Sequence, residues 1–362
     1  MHRSVSQRTR AAVVEKARTS PQIEEITLAD LQPDEVCVRI CVSGVCHTDV
    51  AWAAGELFDE FPVVLGHESA GVVESVGSLV QRCKPGDRVV LALSHHCGHC
   101  FYCETGRPML CDQRTQPHPR LFRDGKCLVQ GYGAAGFAER TIVREGSVIA
   151  VPDGVPLPVA AVVGCATSTG LGAVLNIAHV PAGAQVVVLG AGGVGLNVVM
   201  GCKLAGAERI IVVDPKPERR EFARQFGATD AIDSQEELAF ELRPQGFDYV
   251  FESAGAAAAM ELAIRLTAKG GTAVLIGAVP PGTQVRFDAL SIVGAQRRIL
   301  GCLTGNVRPD IDFARYFALY QRGLLDLDHL ITTIMPFEEI SEAFQWTLRG
   351  HGIRTLVRIG EE

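Results

Sequence analysis

The sequence predicts an α/β protein in two parts: a doubly wound parallel sheet and a second, mainly β, barrel-like domain. Three observations carry this. At 362 residues the chain is too long for one ordinary core. Its first part runs as short Val-rich stretches broken by turn residues, and from about residue 165 strand-like and helix-like stretches alternate. A glycine-rich turn at 190–195 stands between a strand pattern and a helix pattern, where a phosphate-binding turn belongs.

Composition narrows the class. A hydrophobic fraction of 47% with 21% charged residues is that of a soluble globular protein. A net charge of -7 with no basic run argues against nucleic acid and anionic membrane as partners. Met1 to Arg10 is polar and basic without an apolar run behind it, so no secretory signal is expected there. Val186 to Met200 is the nearest approach to a membrane span, but it is short and interrupted by glycine. A cytoplasmic protein is expected, in which twelve cysteines point to metal or reactive thiols before disulfides.

In the first part, residues 10–15 and 36–42 read as strands, with Pro21, Asp30, Pro33 and Asp34 as turn residues between them. Pro85-Gly86-Asp87 is a tight turn launching a strand from Arg88 to Leu91. Next come Cys97, Cys100, Cys103 and Cys111 in a glycine-containing loop. Four thiolates at this spacing make a closed tetrahedral set, the arrangement of a structural zinc, whose binding energy would be folding energy for the loop. Cys46, His67 and Cys165 are a second candidate set, widely spaced. Two thiolates and an imidazole leave a fourth position open for water or substrate, as a catalytic zinc requires. Taken singly, each of the three would read better as a packed core residue.

In the second part, Gln185 to Leu189 reads as a buried strand, Leu196 to Ala205 as a helix, and Arg209 to Val213 as a second strand ending in Asp214. Between strand and helix lies Gly190-Ala191-Gly192-Gly193-Val194-Gly195. Gly190 permits the tight turn, Gly192 lets a pyrophosphate approach the backbone, and Gly195 lets helix and strand pack closely. The helix N-terminus offers unpaired N–H groups to that pyrophosphate. Asp214 would accept from adenosine ribose hydroxyls and repel a 2′-phosphate, which favours NAD over NADP. Further elements are expected at Tyr249 to Glu252 and Gly271 to Ile276 (strands) and at Ala256 to Thr267 (helix). Helical stretches at Asp312 to Arg322 and Glu338 to Leu348 precede a last strand, Arg354 to Ile359.

Gly44-Val45-Cys46-His47-Thr48-Asp49, Gly66-His67-Glu68, the four-cysteine loop, the segment from Gly164-Cys165 to Gly170 and the glycine turn occur in one order and spacing. In these the sequence resembles the zinc-dependent medium-chain alcohol dehydrogenases over essentially its whole length. The resemblance implies a GroES-like catalytic domain, residues 1–166 and 306–362, carrying both zinc sites, and a Rossmann NAD-binding domain, residues 167–305. It implies two zinc ions per subunit, a catalytic one on Cys46, His67 and Cys165 and a structural one on Cys97, Cys100, Cys103 and Cys111. Two cysteines and a histidine are the catalytic zinc set of alcohol dehydrogenase itself. Asp49 and Glu68 look like carboxylates behind the ligands, with Asp49 orienting His67. Gly190, Gly192, Gly193, Val194 and Gly195 would form the cofactor turn. Asp214 and Arg219 would contact the adenosine ribose, and Arg354 the pyrophosphate; a solvated surface charge is the lesser alternative for both arginines.

The activity implied is an NAD-dependent interconversion of primary alcohols and aldehydes, by hydride transfer from an alcohol polarised at zinc, with the Thr48 hydroxyl taking the first proton. The relay histidine of many relatives is replaced by Ala51. His47, where many relatives carry arginine, is then expected to touch the pyrophosphate, complete the relay, or both. Thr48, Leu57 and Leu93 would line the substrate slot and suit bulky hydrophobic or aromatic primary alcohols. A formaldehyde dehydrogenase acting on an S-(hydroxymethyl)thiol is an alternative, with Arg114, Arg120 and Arg123 as anchors for the thiol's carboxylates. A zinc-poor quinone reductase or a non-enzymatic binding protein on the same fold is a third reading. The length of Cys111 to Cys165 resembles the dimeric branch, with a homodimer pairing edge strands near Ile299 to Leu303. Cys37, Cys41, Cys83, Cys127, Cys202 and Cys302 are expected to pack.

Overall fold

The computed structural model describes residues 7–93, 96–113, 118–233 and 243–362. The chain divides into two compact units, Met1–Cys165 with Arg308–Glu362, and Ala166–Val307.

The first unit begins with strands β1 (Arg8–Val14), β2 (Gln22–Leu28), β3 (Glu35–Val45), β4 (Val63–Val64), β5 (Glu68–Val76) and β6 (Arg88–Leu91). β7 (Leu121–Arg123), β8 (Lys126–Gln130), β9 (Arg140–Arg144) and β10 (Val148–Ala150) follow. β1, β2, β7, β8 and β4 close a small barrel. The period-2 pattern of β1 is why the barrel can share a core with its surroundings: Ala11 and Val13 face one apolar cluster with Ile26, Leu28 and Leu121, while Ala12 and Val14 face another with Val36, Val38 and Ile40. β3 is longer than the alternation predicts because it is the middle of the larger sheet, paired with both β5 and β9 along its length. Buried on both faces, its Val, Ile and Cys run without a polar face to mark its ends.

The second unit is a six-stranded parallel sheet. β11 (Gln185–Leu189), β12 (Arg209–Val213), β13 (Asp230–Ile232), β14 (Phe247–Glu252), β15 (Thr267–Leu275) and β16 (Arg298–Gly301) lie in the order β13-β12-β11-β14-β15-β16. This is the doubly wound order, which reverses between β11 and β14. The apolar run Val186 to Met200 splits here into β11 and a helix, Gly193–Ala205. The helix starts three residues earlier than its apolar pattern does, because two of the three residues before Leu196, Gly193 and Gly195, are glycines that carry no side chain to mark it. Another helical stretch, Leu157–Ala178, is long and apolar enough to cross a membrane, yet 94% of its apolar window is buried within the protein. It reads as a core helix.

The chain then returns to the first unit with helix Pro309–Gln321, strand β17 (Ile331–Pro336), helix Ile340–Leu348 and β18 (Arg354–Arg358). β18 pairs antiparallel with β3, setting Thr355 against Val45 and Leu356 against Gly44, while β5 sets Glu68 against Gly44 from the other side. The sheet therefore gathers the end of β3 and the starts of β5 and β18 at one place.

Two arginines offered by sequence as substrate anchors are engaged elsewhere, a correction to that expectation. Arg120 is 2% exposed, paired with the equally buried Glu35, and donates to the carbonyl of His118 at 3.0 Å. Arg123 pairs with Glu15 at 2.8 Å and Glu24 at 2.7 Å. Arg114 lies outside the described residues. Glu35→Ala would leave the Arg120 guanidinium buried without its counter-charge. The expected outcome is a loss of about 3–5 kcal/mol in denaturant unfolding, and an unchanged midpoint would show that water reaches Arg120.

Candidate active site

Cys46 follows the long strand β3 directly and caps a short helix, α1 (His47–Ala53). Its backbone N–H donates to Asp49 Oδ2 at 3.0 Å, an acid one turn into the helix reaching back to the cap. The other oxygen of Asp49 accepts from the N–H of Gly66 at 3.1 Å and lies 3.0 Å from His67 Nδ1. Asp49 is completely buried and His67 almost so. Gly66 has φ +97°, and a Cβ there would stand 2.5 Å from the backbone nitrogen of Phe137, so the turn before β5 tolerates no side chain. With Nδ1 held on Asp49, the Nε2 atom of His67 is left to serve as a ligand. Cys165 lies in a π-helical turn, Val163–Thr167, an irregularity typical of functional helices.

One donor atom each from Cys46, His67, Glu68 and Cys165 lies within 4.8 Å of the others, all four buried. Glu68 thus stands among the donors, nearer than a supporting carboxylate. Arg354 Nη1 lies 3.2 Å from Glu68 Oε1, and the residue is 6% exposed. Arg354 is therefore not a solvated surface charge, the lesser alternative its sequence context allowed. Burial pushes the Glu68 carboxyl up to about 7 against the pull of Arg354. The hydrogen bond between the thiols draws Cys46 well below the usual thiol range and drives Cys165 above it. For His67, burial alone would lower the value, but the Asp49 carboxylate outweighs it and holds the imidazole up. Two thiols and a carboxyl this close cannot all ionise beside a single guanidinium, and a divalent cation removes that conflict. The donor set fits zinc, with two soft sulfurs and one oriented imidazole.

The four-cysteine loop forms a second cluster, with the donor atoms of Cys97, Cys100, Cys103 and Cys111 within 4.8 Å of one another. Backbone N–H groups point at the sulfurs: Cys100 at Cys97 Sγ (3.3 Å), Cys97 at Cys111 Sγ (3.4 Å) and Gln113 at Cys111 Sγ (3.3 Å). The N–H groups of Asp112 and Cys103 draw the Cys100 thiol down to about 6. Such N–H donors stabilise thiolates, so this loop too is built for a metal.

Next to the first cluster stands an aromatic wall that motif reading missed. The Tyr132 ring centroid is 4.6 Å from that of His67 and 4.8 Å from that of Trp52, and Trp52 is 4.3 Å from Phe58. The Tyr132 hydroxyl donates to the Thr48 carbonyl at 3.2 Å, and its backbone has φ +52°, a costly value outside glycine. Burial, then the nearby Asp49 and both thiols, pushes the phenol above its ordinary range. The one sequence signal was an aromatic residue between two glycines, Gly131 and Gly133. Of the expected pocket residues, Thr48 is half-buried with its hydroxyl 3.4 Å from Cys46 Sγ. Leu57 and Leu93 are half-buried, and His47 is exposed at the first position of α1.

In the second unit, Gly190 has φ +97°, while a Cβ on Gly195 would stand 1.9 Å from the Gly190 carbonyl. A Cβ on Gly192 would meet nothing within 4 Å, and no side chain caps the helix it precedes. Past Gly190 and Ala191, whose N–H groups bond the Val213 carbonyl and Asp214, the turn therefore presents its N–H groups to open space from Gly192 on, as a phosphate cradle requires. Val194 and Gly193 belong to the first turn of that helix. Asp214 is buried, with Oδ2 accepting from Ala191 N–H at 2.8 Å and Oδ1 from Lys216 N–H at 2.9 Å. Arg219 Nη1 lies 4.0 Å from the same carboxylate. These residues fit the adenosine end of a dinucleotide.

Residues 32–153 match the alcohol dehydrogenase GroES-like domain family, and residues 193–322 match the zinc-binding dehydrogenase family. The chain is 36% identical to an alcohol dehydrogenase class-3 of Drosophila melanogaster, over 96% of this chain and 97% of that one. It is 34% identical to an S-(hydroxymethyl)glutathione dehydrogenase of Saccharomyces cerevisiae, over 97% of this chain and 96% of that one. The crystal structure of a benzyl alcohol dehydrogenase from Acinetobacter calcoaceticus superposes with a TM-score of 0.92 at 29% identity, covering 98% of this chain and 99% of that one.

Asp49→Asn removes the anionic acceptor that holds His67. Zinc affinity at the first cluster should fall about 10–100-fold, with the four-cysteine cluster untouched. After mild chelation, metal analysis should find about one zinc per subunit in the variant and about two in the wild type. Equal retention would mean that Asp49 does not orient the ligand.

Proposed function

The chain belongs to the zinc-dependent medium-chain alcohol dehydrogenase family, and on that premise we propose that it interconverts bulky hydrophobic or aromatic primary alcohols and their aldehydes, with NAD as hydride carrier. The observation that carries the substrate class is the aromatic wall beside His67, in which half-buried Tyr132 and exposed Phe58 are backed by the buried Trp52. A flat apolar tail stacks on such a wall, whereas a short alcohol leaves it wet. The benzyl alcohol dehydrogenase likeness agrees with this reading.

Zinc held by Cys46, His67 and Cys165 would polarise the substrate oxygen, and NAD would accept the hydride. The chain's own residues do the rest. Asp49 keeps the imidazole aimed, and Arg354 balances the charge of Glu68 and the thiols. The Thr48 hydroxyl, beside Cys46 Sγ, takes the proton of the alcohol oxygen. His47 is its neighbour at the exposed start of α1, so the proton can leave toward solvent despite Ala51. His47 and Arg354 also contact the cofactor pyrophosphate in this reading. In the second unit, the Asp214 carboxylate favours NAD over NADP by charge.

The unpaired edge of β16, followed by exposed Leu303, supports a homodimer that pairs these edges. The alternative thiol adduct finds support in the yeast relative, but not in Arg120 and Arg123, whose charges are paired within the first unit. Two complete four-donor clusters argue against a zinc-poor reductase. We read the protein as cytoplasmic.

NADH formation across ethanol, hexanol, benzyl alcohol, geraniol and formaldehyde premixed with glutathione tests this. Benzyl alcohol and geraniol should exceed ethanol in kcat/KM. Tyr132→Ala should lower the benzyl alcohol value about tenfold while changing ethanol less, within the range one pocket contact supplies. Turnover of the thiol adduct alone would overturn the substrate class.

A further inference from the structure

Glu252 ends β14 at the centre of the parallel sheet, opposite Leu189 of β11 on one side and Leu275 of β15 on the other. It is completely buried. Its partners are backbone N–H groups: Gly255 donates to Oε1 at 2.6 Å and Gly277 to Oε2 at 3.3 Å. The N–H groups of Ala254 and Ala256 face it as well, opposing the upward push of burial on the carboxyl. No side-chain cation pairs with it among these contacts, so the carboxylate acts as a template for backbone.

What it ties together is specific. Gly255 and Gly277 belong to the loops after two neighbouring strands, β14 and β15. Those loops touch: a Cβ on Gly277 would stand 2.3 Å from Gly255 N and 2.9 Å from Glu252 Oε2. The next residue, Ser253, adds the third loop, its hydroxyl donating to the carbonyls of Leu189 and Gly190 at 3.0 Å each. The rim at the carboxyl ends of β11, β14 and β15 is thus held through residues 252 and 253. In a doubly wound sheet, the ligand lies outside these strand ends, across the point where the order reverses. Asp214 at the end of β12 marks the adenosine side. The other half of the dinucleotide falls over β14 and β15.

We propose that Glu252 is a positioning residue for the nicotinamide half of the cofactor, holding the loops after β14 and β15 at the spacing that seats it. This rests on the NAD reading above. An acid that served stability alone would, when altered, weaken every ligand alike. A positioning acid discriminates between NAD, which spans both halves, and AMP, which occupies the adenosine half.

Calorimetric titration of the zinc-loaded wild type and of Glu252→Gln with NAD and with AMP tests it. Glu252→Gln keeps the shape but turns one acceptor into a donor facing N–H groups. The Kd for NAD should rise about tenfold and that for AMP by less than about twofold. KM for NAD should rise with it, while kcat at saturating NAD changes less. Equal weakening of both ligands, or of neither, overturns the role. Gly277→Ala keeps the Glu252 carboxylate itself but drives a Cβ against Gly255 and Glu252 Oε2, spreading the same two loops, and should show the same selective loss. It decides the question if Glu252→Gln does not fold, and an unaltered NAD affinity in it overturns the role. A wild type that binds AMP but no NAD would instead remove the cofactor reading itself, and this role with it.

Discussion

The site depends on one buried carboxylate. Asp49 accepts from the N–H of Cys46, from the N–H of Gly66 and from the ring of His67. Two of the three expected ligands are carried by segments that the chain separates, and Asp49 fixes both. A carboxylate in so dry a place is stable only when its acceptor positions are filled, and here the filling groups are the ligand-bearing segments themselves. Satisfying the acid and building the metal site are the same event.

Charge balance is the second constraint, and the sheet delivers it. Because Glu68 pairs with Gly44 across β5–β3, and Thr355 with Val45 across β18–β3, Glu68, Arg354 and Cys46 come from three adjacent strands at one level. Arg354 then lies against Glu68 inside the protein. A buried pair of this kind adds little to stability by itself. It sets the electrostatics that two thiols and a cation would share.

The second unit uses backbone where the first uses side chains. Its glycine turn offers N–H groups to open space, and its buried acids, Asp214 and Glu252, accept N–H groups from the loops around that space. The acids therefore shape the crevice from beneath, while its surface stays bare enough for phosphate and ring to approach.

The sequence by itself determined what local chemistry can determine. Ligand type and spacing marked Cys97, Cys100, Cys103 and Cys111, and the strand–glycine turn–helix–strand run marked residues 185–214, because turns and short-range clusters depend on neighbours in the chain. The ends of β3 were not legible, since a strand buried on both faces has no polar alternation to stop it. Tyr132, Glu68 as a donor, the pairing of Arg354 with Glu68 and that of Arg120 with Glu35 were decided only by tertiary structure. Each depends on strand register or on a loop folding back across many residues, and an arginine's sequence context does not reveal whether its partner is solvent or a buried acid. Geometry decides there because desolvation makes an unpaired charge intolerable, and only the fold says which charges are desolvated together.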